Sequence, residues 1–153
     1  MGRASRTVID NLYQLATKAL NDKGVMCCIL PLSFCTAPSG WSDLRKILCE
    51  YPNKYSAAVI SLPKMLMPYT SEDVCLFILS KDNQGKVLLV DASSSEIFCV
   101  RHDVAGAKEF ELKPQTVIET ISKCDERFVW GGATSDLAGG VNLLPSRYLL
   151  TQH

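Results

Sequence analysis

Few residues in this chain have the type and spacing needed for side-chain chemistry. It carries two histidines and seven cysteines. His102 and His153 are far apart, and neither lies at a ligand spacing from a cysteine, so a metal site is not expected. No Cys-x-x-Cys pair occurs, and Cys27, Cys28, Cys75 and Cys99 sit in apolar runs, so they read as buried free thiols. Asp91 and Asp103 flank His102 in sequence, but carboxylates beside turns are usually caps. No nucleophile-elbow pattern surrounds any Ser or Cys. The pairs Gly131-Gly132 and Gly139-Gly140 lack a preceding buried strand and an ensuing helix, so they read as loop glycines rather than a phosphate cradle. More informative is the loop after Leu62-Pro63, with Met67, Pro68 and Tyr69. It leaves a buried strand at the position where α/β folds place their ligands.

The elements that position this loop are short apolar runs bounded by Pro, Gly, Asn or Asp. Buried strands are expected at about 24–30, 56–62, 74–81 and 86–92, in a sheet covered on both faces. The first two are expected to be parallel and the third antiparallel. Asp82-Asn83-Gln84-Gly85 reads as a hairpin turn joining the third strand to the fourth. Residues 5–21 have helical apolar spacing that ends near Gly24. Ser42 is the expected N-cap of a helix to about Glu50, whose Arg45 and Lys46 read as solvated charges. Pro114 opens an expected short helix over 115–123. The stretches around Ile97–Val100 and Ala105–Leu112 are ambiguous.

With 153 residues, 47% hydrophobic and 21% charged, the chain reads as a single soluble domain over 1–150 with a short tail at 151–153. Its formal net charge is zero, which argues against strong autonomous binding to DNA phosphates. No apolar run is long enough to span a membrane, and no signal-peptide pattern is present, so a cytoplasmic location is expected.

Several phrases occur in an order that resembles a known family. They are "LNDKGVMCCILP", "SDLRKILCEY", "AVISLP", "CLFILSK", "GKVLLVDAS" and the closing "VNLLPSRYL". Together they resemble the later half of the catalytic domain of adenine-specific (N6) DNA methyltransferases, above all the modification subunits of type I restriction–modification systems. The resemblance implies a partial Rossmann-like class I methyltransferase fold with a mixed sheet, the antiparallel strand being inserted between its neighbours. It implies methyl transfer from S-adenosylmethionine to the N6 amine of adenine in DNA. The family's Gly-rich cofactor turn and Asn-Pro-Pro-aromatic motif do not occur in this sequence, so no catalytic or cofactor-binding residue is assigned.

What the resemblance assigns is the target-base side of the site: Leu30, Pro31, Pro63, Met67, Pro68 and Tyr69. Where the family has an aromatic residue before a Pro, this sequence has Met67, so Tyr69 is the alternative stacking residue. Expected partners are DNA through the complete enzyme, the missing N-terminal half, or a methyltransferase or specificity subunit. Homo-association through the open edge of the strand at 24–30 is a further expectation. The alternative reading is a non-catalytic module that docks on such a subunit.

Overall fold

The computed structural model describes residues 6–38, 40–51, 53–64, 66, 72–137 and 141–149. Met67, Pro68, Tyr69, Gly139, Gly140 and His153 lie outside these described residues, as does the tail at 151–153.

A mixed sheet of five strands forms the centre. Its strands are β1 (Val25–Pro31), β2 (Ser56–Ser61), β3 (Val74–Ser80), β4 (Lys86–Asp91) and β7 (Val129–Ala133), in the spatial order β1-β3-β2-β4-β7. β3 runs antiparallel to both β1 and β2, which are therefore parallel to each other, with the reversed strand inserted between them as expected. The expected hairpin is not formed. Both edges of β3 are occupied, so β4 lies on the far side of β2, parallel to it, and β7 pairs antiparallel on β4. The turn at 82–85 docks instead on the turn entering β2, where Asn83 N–H donates to Lys54 O at 3.0 Å.

One sheet face is covered by α1 (Arg6–Gln14), a π-helical turn (Leu15–Ala19), a 3-10 turn (Leu32–Cys35) and α2 (Trp41–Glu50). The expected single helix thus changes pitch midway, and Leu20 N–H closes the wider turn on Leu15 O at 2.8 Å. Tyr55 Oη, fully buried, donates to Ala16 O at 2.9 Å. The core here joins Ile9, Ala16, Leu44, Ile47 and Leu48 to Val59, Phe77, Leu79 and Leu89 of the sheet. Phe34 packs on Trp41 and Phe77, with ring centroids 5.6 and 4.7 Å apart. α2 begins at Trp41 with Gly40 as N-cap, two residues ahead of the expected Ser42. Trp41 is buried, so its packing fixes the helix start.

The other face is covered at one end. α3 (Ser95–Phe98) and α4 (Pro114–Ser122) bury Phe98 and Val117 against Ile60, Leu62 and Val90. Between these two helices the chain makes a two-stranded ribbon, β5 (Cys99–Val104) with β6 (Ala107–Leu112), which resolves the two ambiguous stretches. The rest of this face is open among the described residues, contrary to the expected two-sided cover. Val25 is 64% and Ile29 52% exposed. Cys27 is exposed and Cys28 half-buried, so of the four cysteines read as buried only Cys75 and Cys99 are fully so. Gly131 and Gly132, read as loop glycines, lie within β7 opposite Leu88 and Val87. A Cβ on Gly132 would meet the Trp130 ring at 2.5 Å, so a larger residue there would force the ring to shift. No described helix is long and apolar enough to cross a membrane.

Candidate functional site

β1 ends at Pro31, and the chain turns at once into the 3-10 turn. Beside it, the segment entering β3 brings Glu72 and Asp73 alongside, held where Leu32 N–H donates to Asp73 O at 2.8 Å. A cleft of about 450 Å³ opens there, lined by Pro31, Leu32, Ser33, Thr36, Glu72, Asp73 and Leu144. It lies at the carboxyl end of β1, the region where open α/β sheets bind ligands.

The walls are fixed from behind by Arg45. Read from sequence as a solvated helix charge, it is 3% exposed. Its Nη1 donates to Phe34 O and Ala37 O, both at 2.7 Å, and its Nε to Val141 O at 3.0 Å. Those carbonyls belong to the turn that lines the cleft and to the C-terminal segment that closes it. Burial pulls the guanidinium below its ordinary pKa, with the nearby Cys35 acting the other way. Leu143 N–H donates to Cys35 O at 3.1 Å, which seats Leu144 at the rim. Tyr148 Oη donates to Asn142 O, and its ring packs tilted against Trp130 with centroids 4.6 Å apart, anchoring the same segment to the sheet.

Of the residues assigned from sequence, Pro31 lines the cleft. Leu30 is buried in the core behind it, and Pro63 is buried just after β2. The rest of the assignment, Met67, Pro68 and Tyr69, falls outside the described residues. Sequence reasoning passed over Ser33, Thr36, Glu72, Asp73 and Leu144. The acidic pair standing immediately before β3 was a usable signal. Leu144 was not, because only the folded chain brings it near Pro31.

The lining is rich in hydrogen-bond acceptors: two carboxylates and two hydroxyls. It suits a ligand that presents N–H donors and disfavours a phosphate. The described residues that line the cleft include no His, Cys or Lys. His102 lies on the ribbon, where its Nε2 is 3.0 Å from Glu111 Oε2. Asp103 pairs with Arg101 at 3.2 Å. Asp91 accepts from the N–H and hydroxyl of Ser93, the cap-like role expected of it. Among the described residues no cluster of His, Cys, Asp and Glu fits a metal. A second hollow of about 490 Å³ lies on the open sheet face, over Ala58, Ile78, Leu88 and Gly131. It is larger, but its floor is aliphatic, so the cleft at Pro31 is the better candidate for recognition chemistry.

The fold is similar to that of the methyltransferase subunit of a type I restriction–modification system from Streptococcus thermophilus. The match has 21% identity, covers 84% of this chain and 27% of that one, and has a TM-score of 0.64. It is also similar to a chain from a study of complex assembly and conformational transition in the type I restriction–modification system (13% identity, 84% and 28% covered, TM-score 0.57). A third match is a modification subunit assigned to a type I restriction enzyme of Vibrio vulnificus YJ016 (12% identity, 84% and 27% covered, TM-score 0.50). The chain thus spans about a quarter of the length of the solved structures it matches. No curated protein matches it. The family model described as N-6 DNA Methylase matches residues 10–129, most of the chain, including β1 and the residues on both sides of the cleft that carry its carboxylates and hydroxyls. On that match the chain belongs to the N-6 DNA methylase family.

Proposed function

We propose that this chain supplies the target-base side of an S-adenosylmethionine-dependent adenine N6-methyltransferase of a restriction–modification system. The single observation that carries this reading is the acceptor-lined cleft at the carboxyl end of β1, in a chain whose family acts on the exocyclic amine of adenine. An adenine turned out of the duplex presents that amine as a double N–H donor. Ser33, Thr36, Glu72 and Asp73 offer acceptors to it, and Pro31 offers a flat apolar wall. In this reading Leu30 and Pro63 pack behind the wall, and the loop with Met67, Pro68 and Tyr69 completes it.

S-adenosylmethionine finds no matching site among the described residues. Gly131 and Gly132 are strand residues, and a Cβ on Gly132 would strike the Trp130 ring at 2.5 Å. They are not a turn that lets backbone approach a cofactor. No transfer step is therefore assigned to these side chains. The cofactor and the catalytic motif belong to polypeptide that pairs with this one, either the remainder of the methyltransferase or a separate subunit. DNA is reached through that assembly, and a cytoplasmic setting fits it.

A non-catalytic docking module is the second reading, favoured by the zero net charge and by the two carboxylates at the cleft. Titration of isotope-labelled chain with deoxyadenosine, followed by NMR, separates the two. The base-side reading expects shifts confined to Pro31–Thr36 and Glu72–Asp73, lost when deoxyinosine, which lacks the amine, replaces deoxyadenosine. No shift with deoxyadenosine, together with co-elution of the chain with a modification or specificity subunit, establishes the module instead.

A further inference from the structure

Two thiols meet in the core directly behind the cleft. β3 alternates its side chains across the sheet, so Cys75, Phe77 and Leu79 face the helices while Val74 and Leu76 pack on the opposite cluster. The 3-10 turn Leu32–Cys35 lies on the helix-covered face, where Phe34 packs on Phe77 with ring centroids 4.7 Å apart. Cys35, the next residue, reaches Cys75, and the two side chains are hydrogen-bonded to each other. Both cysteines are completely buried. Their contact, and then burial, hold the Cys75 thiol well above the ordinary range, so it keeps its proton in the closed fold. The pair sits astride the cleft. Cys35 stands between Ser33 and Thr36 of one wall, and Cys75 two residues beyond Asp73 of the other. β3 is paired along both edges, so the site is interior to the sheet.

We propose that Cys35 and Cys75 are a disulfide site, closed by a low-molecular-weight disulfide such as oxidised glutathione into a bond that ties the two walls of the cleft together. The inference goes beyond the proposed function and does not rest on it, since it concerns the walls and not what lies between them. Thiols already in contact reach the roughly 2.05 Å bond by rotation of their side chains. The thiolate of one cysteine attacks a sulfur of glutathione disulfide, whose S–S bond breaks, and one glutathione thiolate leaves. The thiolate of the other cysteine attacks the protein sulfur of the mixed disulfide and displaces the second glutathione. The two protons lost by the cysteines go to the two glutathione thiolates. The protein pair is oxidised by two electrons, and glutathione disulfide is reduced by the same two. Burial sets the rate, because a thiol shut away from water does not ionise and the first attack waits on local opening. The element that opens is the turn. β3 is held by ladders on both edges, whereas the turn is four residues fixed by Thr36 N–H to Ser33 O and by Arg45 to Phe34 O. Cys28 is the alternative partner on β1, but it stands across the ladder from Phe77. It is thus a diagonal neighbour of Cys75, about 7–8 Å away, beyond the reach of a disulfide.

The test uses the full chain, first reduced and then held in native buffer with excess oxidised glutathione for roughly hours. Peptide mapping without reductant should find Cys35 joined to Cys75, while the exposed Cys49 and Cys124 carry single glutathiones. A cross-link between these positions removes freedom from the unfolded chain. Oxidation should therefore raise the Tm of the wild-type chain by about 5–10 °C. Cys75→Ala, treated alike, takes the same surface adducts and should show no such rise. Amide exchange at Thr36 and Ala37, read on the wild-type chain, should slow about tenfold or more on oxidation, as the turn loses its opening motion. Dithiothreitol should reverse both changes. The map and the exchange are read on the wild-type chain, so they decide the matter even if the alanine variant misfolds. No Cys35–Cys75 link while Cys49 and Cys124 carry glutathione, a link that forms only in urea, or a link from Cys75 to Cys28 would each overturn the proposal. So would a Cys35–Cys75 link that leaves Tm and exchange at Thr36 unchanged. The deoxyadenosine titration is made on the reduced chain, so either idea can fail without the other.

Discussion

A guanidinium out of water is stable only when its donors are matched, and Arg45 matches three carbonyls drawn from two distant stretches of chain. Arg45→Met keeps much of the side chain's bulk but strands those carbonyls. It should cost about 2–4 kcal/mol of unfolding free energy in urea titration. Arg45→Lys should recover little, because a single ammonium cannot reproduce the fork. The role was not legible in the sequence. Helical phase marks which face a residue occupies, but the acceptors come from Phe34, Ala37 and Val141, and only the folded chain collects them. The cysteines teach the same point. An apolar run was read as a buried run, yet alternate residues of an edge strand face outward. Cys28 is half-buried, and burial first, then Cys27 and Cys75, pushes its thiol up to about 11. Its thiolate is thus scarce until well above the range in which an ordinary thiol, near pKa ~8.5, has already ionised. Iodoacetamide labelling of Cys28 in the folded chain, read by mass spectrometry, should still be rising at about pH 9–10, where the free thiol of glutathione has levelled off. A plateau for Cys28 alongside glutathione would remove the burial argument.

At the scale of elements, the strands were legible because each is an apolar run closed by Pro, Gly, Asn or Asp, and all four appear within a residue or two of the expected bounds. Strand pairing was less so. A turn of four residues ending in glycine favours a hairpin locally, but β3 already has partners on both edges. The turn residues then serve a different contact. Gly85 has φ +64°, and a Cβ there would lie 2.7 Å from Asn53 Oδ1 and 2.8 Å from its Cα. The glycine is required both for its left-handed backbone and for the approach of the two turns. Gly85→Ala should therefore destabilise by about 1–3 kcal/mol in thermal or urea unfolding. A change near zero would mean that the turn at Asn53 yields easily and does not hold β4 in place. The acceptor cleft was legible in part. Its position follows from where β1 ends, and Pro31 was named for that reason. Its hydroxyls and carboxylates lie in a short turn and a loop with no periodic pattern to mark them.

At the scale of the molecule, the described residues cover one face of the sheet fully and the other at one end only. The family's cofactor turn has no counterpart among the described residues, and the chain spans 27% of the Streptococcus subunit it resembles in fold. Charge points the same way. Sixteen Lys and Arg balance sixteen Asp and Glu. Affinity for duplex DNA is built largely from released counterions, roughly one per phosphate neutralised, and a chain without basic excess has little of that to offer. The cleft itself presents carboxylates. Two measurements on the purified chain follow. Isothermal titration with S-adenosylmethionine should give no heat above dilution. Fluorescence anisotropy of a labelled duplex should show no saturable binding in the nanomolar range, even at low salt, where electrostatic binding is strongest. The reasons are independent, so the outcomes are informative separately. Micromolar cofactor binding would mean that a backbone cradle exists without the expected glycine turn. Tight DNA binding with a steep salt dependence would mean that the sixteen basic residues cluster on one surface despite their overall balance. Tight binding with a shallow one would instead place direct base contacts in this chain, with the cleft at Pro31 as the first position to examine by substitution of Ser33 and Thr36.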